Sequence, residues 1–337
     1  MRAILVHPGP AFSVADVANG YSKALRQAGV QVADFDLGDV MTFYEAGLRA
    51  VGEDDTSGKQ AAHMAAASLR QLCFDWWPDV VICVSSFFLP PDLYKIVRAR
   101  GMRTVVVLTE SPYEDDNQLG IAAAADVATL NDPMNLDAYR AVQPNTHYLP
   151  HAYDPDIHHP GPAIPGYESD FCFVGTGYPE RIAFFEQVDW SGLDITLAGN
   201  WCELSEASPL RPHMMHDLEV CLANDEAANL YRSTQVGCNL YRTSAQCDEL
   251  SQGWAMGPRE VELAACQTFF LTQARGENRE VLPMVPTFET PADLSEQVRW
   301  WLAHPDKRAD VAMKAREAVA DRTFAANTAR LLELAGL

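Results

Sequence analysis

Gly257 to Thr272 reads GPREVELAACQTFFLT, with Arg259, Glu260 and Glu262 standing directly ahead of Leu263, Ala264, Ala265 and Cys266. Charges seldom lead so abruptly into an apolar run, because an ionised group taken into a core without a partner is costly. Two readings fit. Either the glutamates complement the positive end of a helix, or the segment holds a ligand. In the second case Arg259 binds phosphate through paired N–H bonds, and Glu262, further along the helix, accepts two ribose hydroxyls. Arg242, at the end of NLYRT, brings a second guanidinium to a neighbouring strand end, and two such groups can neutralise a diphosphate.

A second turn carries related chemistry. FVGTGYPERI places Gly175, Thr176 and Gly177 after a strand and before a helix that opens on Pro179, with Arg181 in its first turns. Glycines let backbone approach a ligand, and a helix start offers N–H groups to an anion. GTG lacks the third glycine of a dinucleotide fingerprint, so a plain tight turn fits equally well. In TESPYEDD, Glu110 ends a strand where a carboxylate can serve as base toward an acceptor hydroxyl, while Asp115 and Asp116 read as a solvated acidic loop. His7 ends the first strand and is the other acid–base candidate. HMMH puts His213 and His216 at a metal-compatible spacing without a matching carboxylate, so no metal is expected.

Short β-branched runs alternating with helical patterns must position these residues. RAILVHP, VQVADFDL, DVVICVSS, RTVVVLTESP and DVATLND read as strands, separated by VADVANGYSKALRQAG, KQAAHMAAASLRQLCFDWWP, PPDLYKIVRARG and the small-residue segment LGIAAAA. Tyr148 to Ser169 is crowded with Pro, Gly and His and reads as a linker. The alternation then restarts with DFCFVG, LDITLAGNW, NDEAANLYRST and VGCNLYRT, and closes in a long helical stretch from Pro291. Continuous apolar strands between helices imply parallel sheets covered on both faces. The expected fold is α/β, two tandem Rossmann-like doubly wound domains with a cleft between them. In such sheets ligands lie beyond the carboxyl ends of the strands.

Composition narrows the function. At 337 residues the chain exceeds one ordinary core, which fits two domains. With 25 Lys and Arg against 46 Asp and Glu, the net charge is −21, a field that repels phosphate backbones and anionic lipid. The eight cysteines form no CxxC pair and read as buried thiols of a reducing compartment. No apolar stretch approaches a membrane span, so a soluble cytoplasmic protein is expected. The tryptophans Trp76, Trp77, Trp300 and Trp301 read as core or interface residues, and Trp201 as a residue near the cleft.

TESPYEDD, LNDPMNLDAYR, YLPHAYDPDIHHP, FVGTGYPERI, LAGNW, NLYRT, GPREVELAACQTFFLT and LAHPDKRADVAMKAREAV, taken in that order, resemble the GT-B glycosyltransferases, in particular the branch of the spore-maturation protein CgeB. The likeness runs from about Thr109 to the C-terminus. It implies an acceptor-side domain over residues 1–150, a linker over 151–169, a nucleotide-sugar domain over 170–320, and a terminal helix over 321–337 that returns to the first domain. By resemblance, Glu262 holds the donor ribose, and Gly175 and Gly177 face the diphosphate with Arg242 and Arg259 as phosphate partners; Thr176, Arg181, Asn200 and Trp201 are the further donor-side candidates. The implied activity is metal-independent, cofactor-free transfer of a sugar from a nucleotide diphosphate to an acceptor hydroxyl on a protein, glycan or small molecule. Glu110 or His7 would act at the acceptor. Alternatives are a phage-type enzyme acting on a hydroxylated DNA base, which the acidic balance opposes, and a non-catalytic sugar-nucleotide-binding or coat-associated protein. One departure stands out: Trp254 occupies the place, eight residues before Glu262, where many GT-B enzymes carry a glutamate.

Overall fold

A computed structural model of the chain describes residues 1–10, 14–53, 57–243 and 253–337. The chain divides into two units, Met1–Pro150 with Phe324–Leu337, and His151–Ala245 with Trp254–Thr323.

In the first unit β1 (Arg2–Val6), β2 (Gln31–Phe35), β3 (Val80–Val84), β4 (Arg103–Leu108), β5 (Val127–Leu130) and β6 (Thr146–Tyr148) form one sheet in the order β2-β1-β3-β4-β5-β6. Every pairing is parallel. β3 is buried at all five positions because both sheet faces are covered. The intervening helices are α1 (Ala15–Gln27), α2 (Leu37–Ala50), α3 (Ser57–Trp76), α4 (Pro91–Ala99), α5 (Asp115–Ala124) and α6 (Leu136–Val142). α1 buries Ala18, Tyr21, Ser22 and Leu25, a helical stripe, and the chain leaves it through Gly29 at φ +80°, a left-handed position that favours glycine.

In the second unit β7 (Ser169–Val174), β8 (Ile195–Ala198), β9 (Thr234–Asn239) and β10 (Phe270–Thr272) make a parallel sheet in the order β10-β9-β7-β8. Its helices are α7 (Pro179–Phe185), α8 (Asn224–Ser233), α9 (Pro258–Ala265), α10 (Gly276–Val281), α11 (Pro291–Leu302) and α12 (Pro305–Ala318). Alternate residues of β7 serve opposite faces, as strand geometry requires. Phe171 and Phe173 join Phe185, Trp201 and Phe288 on one side, and Cys172 and Val174 join Tyr231, Val261 and Ala264 on the other. The chain order turns outward from β7, toward β8 on one side and β9 on the other. The carboxyl end of β7 is therefore the switch point at which α/β sheets receive ligands.

α13 (Phe324–Ala335) belongs to the first unit, where the Phe324 ring meets Tyr21 of α1 edge-on at 5.3 Å between centroids. Gly20 allows that approach: a Cβ there would lie 2.3 Å from the Phe324 ring.

Several expectations are corrected. LGIAAAA closes α5 and its C-cap, and Asp115 and Asp116 form the first turn of that helix rather than a loop, with Asp116 exposed as expected and Asp115 not. Asp115 is only 1% exposed, accepting from Tyr139 Oη at 2.6 Å and Asn135 Nδ2 at 2.5 Å. α2, α6 and β6 are elements that the periodicity reading passed over. The long C-terminal stretch is three helices, α12 starting at Pro305, where proline suits a first turn. Cys202 and Cys221 are exposed, unlike Cys73, Cys83, Cys172, Cys238 and Cys266, and Cys247 lies outside the described residues. Trp77 and Trp300 are exposed by 41% and 43%, so neither is a core residue.

Candidate functional site

The turn after β7 is packed too tightly for side chains. Gly175 N–H donates to Ala198 O at 2.8 Å and Gly177 N–H to Asn200 O at 2.7 Å, which locks this turn to the one after β8. A Cβ on Gly199 would lie 2.5 Å from Gly175 O, and one on Gly177 would lie 2.5 Å from the Trp201 ring. Trp201 itself is fully buried against Phe173 and Phe185, its indole N–H bonded to Ala198 O at 3.2 Å. The expectation that Trp201 contacts a donor is therefore corrected: it supports the turn from behind. Asn200 fixes its own loop, its side chain accepting from Cys202 N–H at 3.1 Å. His216 accepts Gly199 N–H at Nε2, 3.0 Å, so Nδ1 carries the proton and donates to Asp217 O at 2.8 Å. A glycine-loop support is thus the role of HMMH's second histidine.

Three guanidinium groups gather on this turn. Arg181, 7% exposed, donates Nη1–H to Thr176 O at 3.0 Å and lies over both the Phe173 ring at 5.5 Å and the Tyr178 ring at 5.2 Å. Arg242 reaches Tyr178 as well, 3.5 Å from its hydroxyl and 5.9 Å from its ring. Arg259 lies over Phe173 at 5.5 Å, its Nη2 only 2.7 Å from where a Gly175 Cβ would stand. Among the described residues Arg259 makes no hydrogen bond. Cation–π contact and bare backbone hold it in place.

The two glutamates of α9 have separate fates. Glu260 is wholly buried and consumed by the fold: Gly257 N–H at 2.8 Å, Thr272 Oγ1 at 2.9 Å, Asn278 Nδ2 at 3.1 Å and the Tyr241 hydroxyl all donate to it. Burial raises its pKa, and these donors pull it back. Glu262 is half-buried, and Tyr231 Oη, 3.3 Å from Oε2, is its hydrogen-bond partner among the described residues. Tyr231 is itself buried, its hydroxyl pushed well above its ordinary pKa by burial and by the Glu262 charge, so it stays a donor. Arg259 and Glu262 form no ion pair with each other. One helix thus presents a cation and an anion whose bonding capacity the fold leaves largely unused.

Beyond β10 the wall continues. The Arg275 guanidinium stacks 3.6 Å above the Tyr241 ring and donates to Ala255 O at 3.0 Å. Glu277, 2% exposed, accepts Met256 N–H at 2.6 Å and pairs with Arg322 at 2.7 Å. Sequence reasoning missed Glu277, Arg275 and Tyr178, because their importance comes from contacts distant in the chain.

His7 and Glu110 sit in the first unit at the ends of β1 and β4, with β3 between those strands. His7 Nε2 is 3.2 Å from Asp34 Oδ1, and Asp34 also accepts from Ser22 Oγ at 2.7 Å and Arg26 Nη2 at 2.6 Å. A carboxylate thus orients the imidazole. Glu110 is half-buried, and its N–H donates to Gln118 Oε1 at 3.2 Å.

A family model described as glycosyl transferase-like matches residues 181–333, which includes Arg181, Arg242, Arg259 and the whole of α9 and begins after the Gly175 turn. No curated protein matches the chain by sequence. Among solved structures, a trehalose-6-phosphate protein from E. coli bound with UDP-2-fluoro glucose superposes with a TM-score of 0.63 at 12% identity, covering 100% of this chain and 99% of that one. An alpha-glucosyltransferase in complex with UDP gives 0.61 at 12%, covering 96% of each chain. A putative UDP-N-acetylglucosamine 2-epimerase from Listeria monocytogenes gives 0.61 at 12%, covering 98% and 94%. The fold is GT-B. Together with the glycosyl transferase-like match, it supports a transferase. No helix among the described residues is long and apolar enough to cross a membrane.

Proposed function

We propose that the protein is a glycosyltransferase that binds a nucleotide-diphosphate sugar in its second unit and transfers the sugar to an acceptor hydroxyl. The observation that carries this reading is α9: an Arg259 guanidinium against the Gly175 turn that makes no hydrogen bond among the described residues, with Glu262 further along the helix bonded, among those residues, to Tyr231. A diphosphate satisfies the first, and the two hydroxyls of a ribose satisfy the second. Arg181 and Arg242 add charge at the switch point. As the bond from the sugar to the diphosphate breaks, fixed guanidinium groups stabilise the departing anion without reorganisation. The acceptor oxygen forms the new bond to the sugar and gives up its proton. His7, oriented by Asp34, is better built as the receiving base than Glu110, and the histidine would carry the proton away. No metal enters this scheme.

The putative epimerase among the structural neighbours means the fold alone does not select transfer, and the family match favours it. The proposal is tested by incubating the protein with UDP, GDP, ADP and dTDP sugars and following nucleotide release with and without acceptors, in EDTA. Acceptor-stimulated release that persists in EDTA supports it. Release that yields only free or epimerised sugar contradicts transfer, and a requirement for magnesium contradicts the metal-independent step. The CgeB-type branch, and a protein, glycan or small-molecule acceptor in place of DNA, remain part of the proposal. The charge of −21 favours the non-nucleic-acid acceptor, and acceptor panels decide it.

A further inference from the structure

The antiparallel pair α2 and α3 of the first unit turns an apolar surface outward. Phe43 is 74% exposed, Val51 75% and Met64 40%, and Ala46, Gly47 and Ala50 are exposed between the first two. Positions 43, 46, 47 and 50 recur at helical spacing, so they form one stripe along α2. α2 itself fully buries only Leu37 and Met41. The surface also has shape. Phe43, Tyr44, Ala46, Gly47, Leu48 and Met64 line an open cleft of about 340 Å³. The Phe43 ring stands edge-on to Tyr44 at 5.5 Å, and the Tyr44 hydroxyl is hydrogen-bonded to Ser68 Oγ of α3 at 2.8 Å. Glycine inside a helix is destabilising relative to alanine, yet nothing lies within 4 Å of a Cβ added at Gly47. Packing among the described residues gives no reason for that glycine, and its smallness deepens the cleft.

A projecting ring beside a cleft is self-complementary, because a two-fold axis seats the ring of each copy in the cleft of the other. Charge agrees with such a pairing. α2 begins with the exposed Asp36 and Asp39, while its Glu45 and Arg49 pair with each other at 2.7 Å. α3 exposes Lys59 and Arg70. Laying α2 of one copy across α3 of the other brings those carboxylates toward those cations, and the two hairpins then make a four-helix bundle. α2 has 14 residues and α3 has 20. Helices of those lengths, about 10 Å wide, give a doubled face of roughly 1,000 Å² in total, the lower end for a specific contact. A reversible dimer fits that size. An anionic membrane is the poorer occupant, since the chain carries a net charge of −21. We propose that α2 and α3 form the interface of a homodimer, with Phe43 of each copy seated in the Gly47 cleft of its partner. No nucleotide contact enters this inference, so it stands apart from the donor site.

Sedimentation velocity on the full chain, from about 1 to 100 μM, tests this, because a contact of that size supports micromolar association. The sedimentation coefficient of wild type is expected to rise with concentration to that of a dimer. Phe43→Glu is expected to weaken association at least about thirtyfold, as loss of a central aromatic anchor does. Its melting temperature should stay near that of wild type, because the ring is mostly exposed in the single chain. Gly47→Gln fills the cleft from a position with open space around it, and serves if Phe43→Glu does not fold. It is expected to raise the melting temperature while weakening association about tenfold. A merely structural glycine would not move the two readouts in opposite directions. Wild type that stays monomeric across the range overturns the proposal, and its flotation with phosphatidylglycerol vesicles would then assign the patch to a membrane. A dimer that neither variant weakens also overturns it, since the contact then lies elsewhere.

Discussion

Replacing Gly199 with alanine probes the crowded pair of turns on which the candidate site is built. Gly199 sits at φ +111°, a conformation that strains any residue with a Cβ, and its new methyl would lie 2.5 Å from Gly175 O and 2.8 Å from Gly175 C. The left-handed strain alone costs roughly 1–2 kcal/mol. Forcing a methyl nearly an ångström inside ordinary contact against backbone adds roughly 1–3 kcal/mol, since a peptide group cannot turn aside as a side chain can. Gly192→Ala is the matched control: φ is +74°, yet nothing lies within 4 Å of its added methyl. Both variants carry strain from a positive φ, the greater at Gly199, and only Gly199→Ala adds crowding, so it should unfold in urea at lower stability than Gly192→Ala by at least about 1–3 kcal/mol. Relief comes by moving the Gly175 turn, which carries the Arg259 contact with it, so nucleotide affinity should fall at least tenfold for Gly199→Ala and not for Gly192→Ala. Equal stability and equal affinity in the two variants would refute the argument that this turn is held by close backbone contact.

Other consequences follow from single contacts. Tyr231→Phe removes the 3.3 Å bond to Glu262 and keeps the ring. Nucleoside diphosphate affinity should drop several-fold, the worth of about 1 kcal/mol, and the preference for UDP over 2′-deoxy-UDP should shrink. Arg322→Met leaves the Glu277 carboxylate buried without its 2.7 Å partner, which should cost about 3–5 kcal/mol in chemical denaturation; Glu277→Gln on that background should recover part of it. His151 is held neutral, chiefly by burial, with Arg322 and Arg275 opposing Glu277, so its pKa falls to about 4. Its folded value lies below its unfolded one, so the stability it contributes is complete above about pH 6.5 and is lost as pH falls toward 4. His151→Asn should flatten the melting-temperature profile across that window.

Much of this was legible in the sequence where local rules decide. The apolar runs VVICV and TVVVL became β3 and β4 because strands covered on both faces need continuous hydrophobicity. Pro91, Pro179, Pro258, Pro291 and Pro305 each mark a helix start. α2 was illegible because it exposes Phe43 by 74% and buries only Leu37 and Met41, too thin a stripe to show. α5 lacks any clear amphipathic stripe, since alanines fill it. In the site, Arg259 and Glu262 could be singled out from residue type and spacing. Which glutamate the fold would consume could not, because the four donors that satisfy Glu260 come from β10, α10, the β9 exit and the helix's own cap. Trp201 misled for a similar reason: a large aromatic after a glycine turn looks the same in sequence whether it faces ligand or core.

Titration calorimetry of the Glu262→Ala variant with the nucleoside diphosphate that wild type binds bears most directly on the donor site. The carboxylate is assigned two bonds to ribose hydroxyls, each charge-assisted and worth about 1.5–3 kcal/mol, so affinity should fall by at least a hundredfold while the melting temperature stays near that of wild type. A variant that binds the nucleotide as tightly as wild type contradicts the assignment of α9 as the ribose-holding helix.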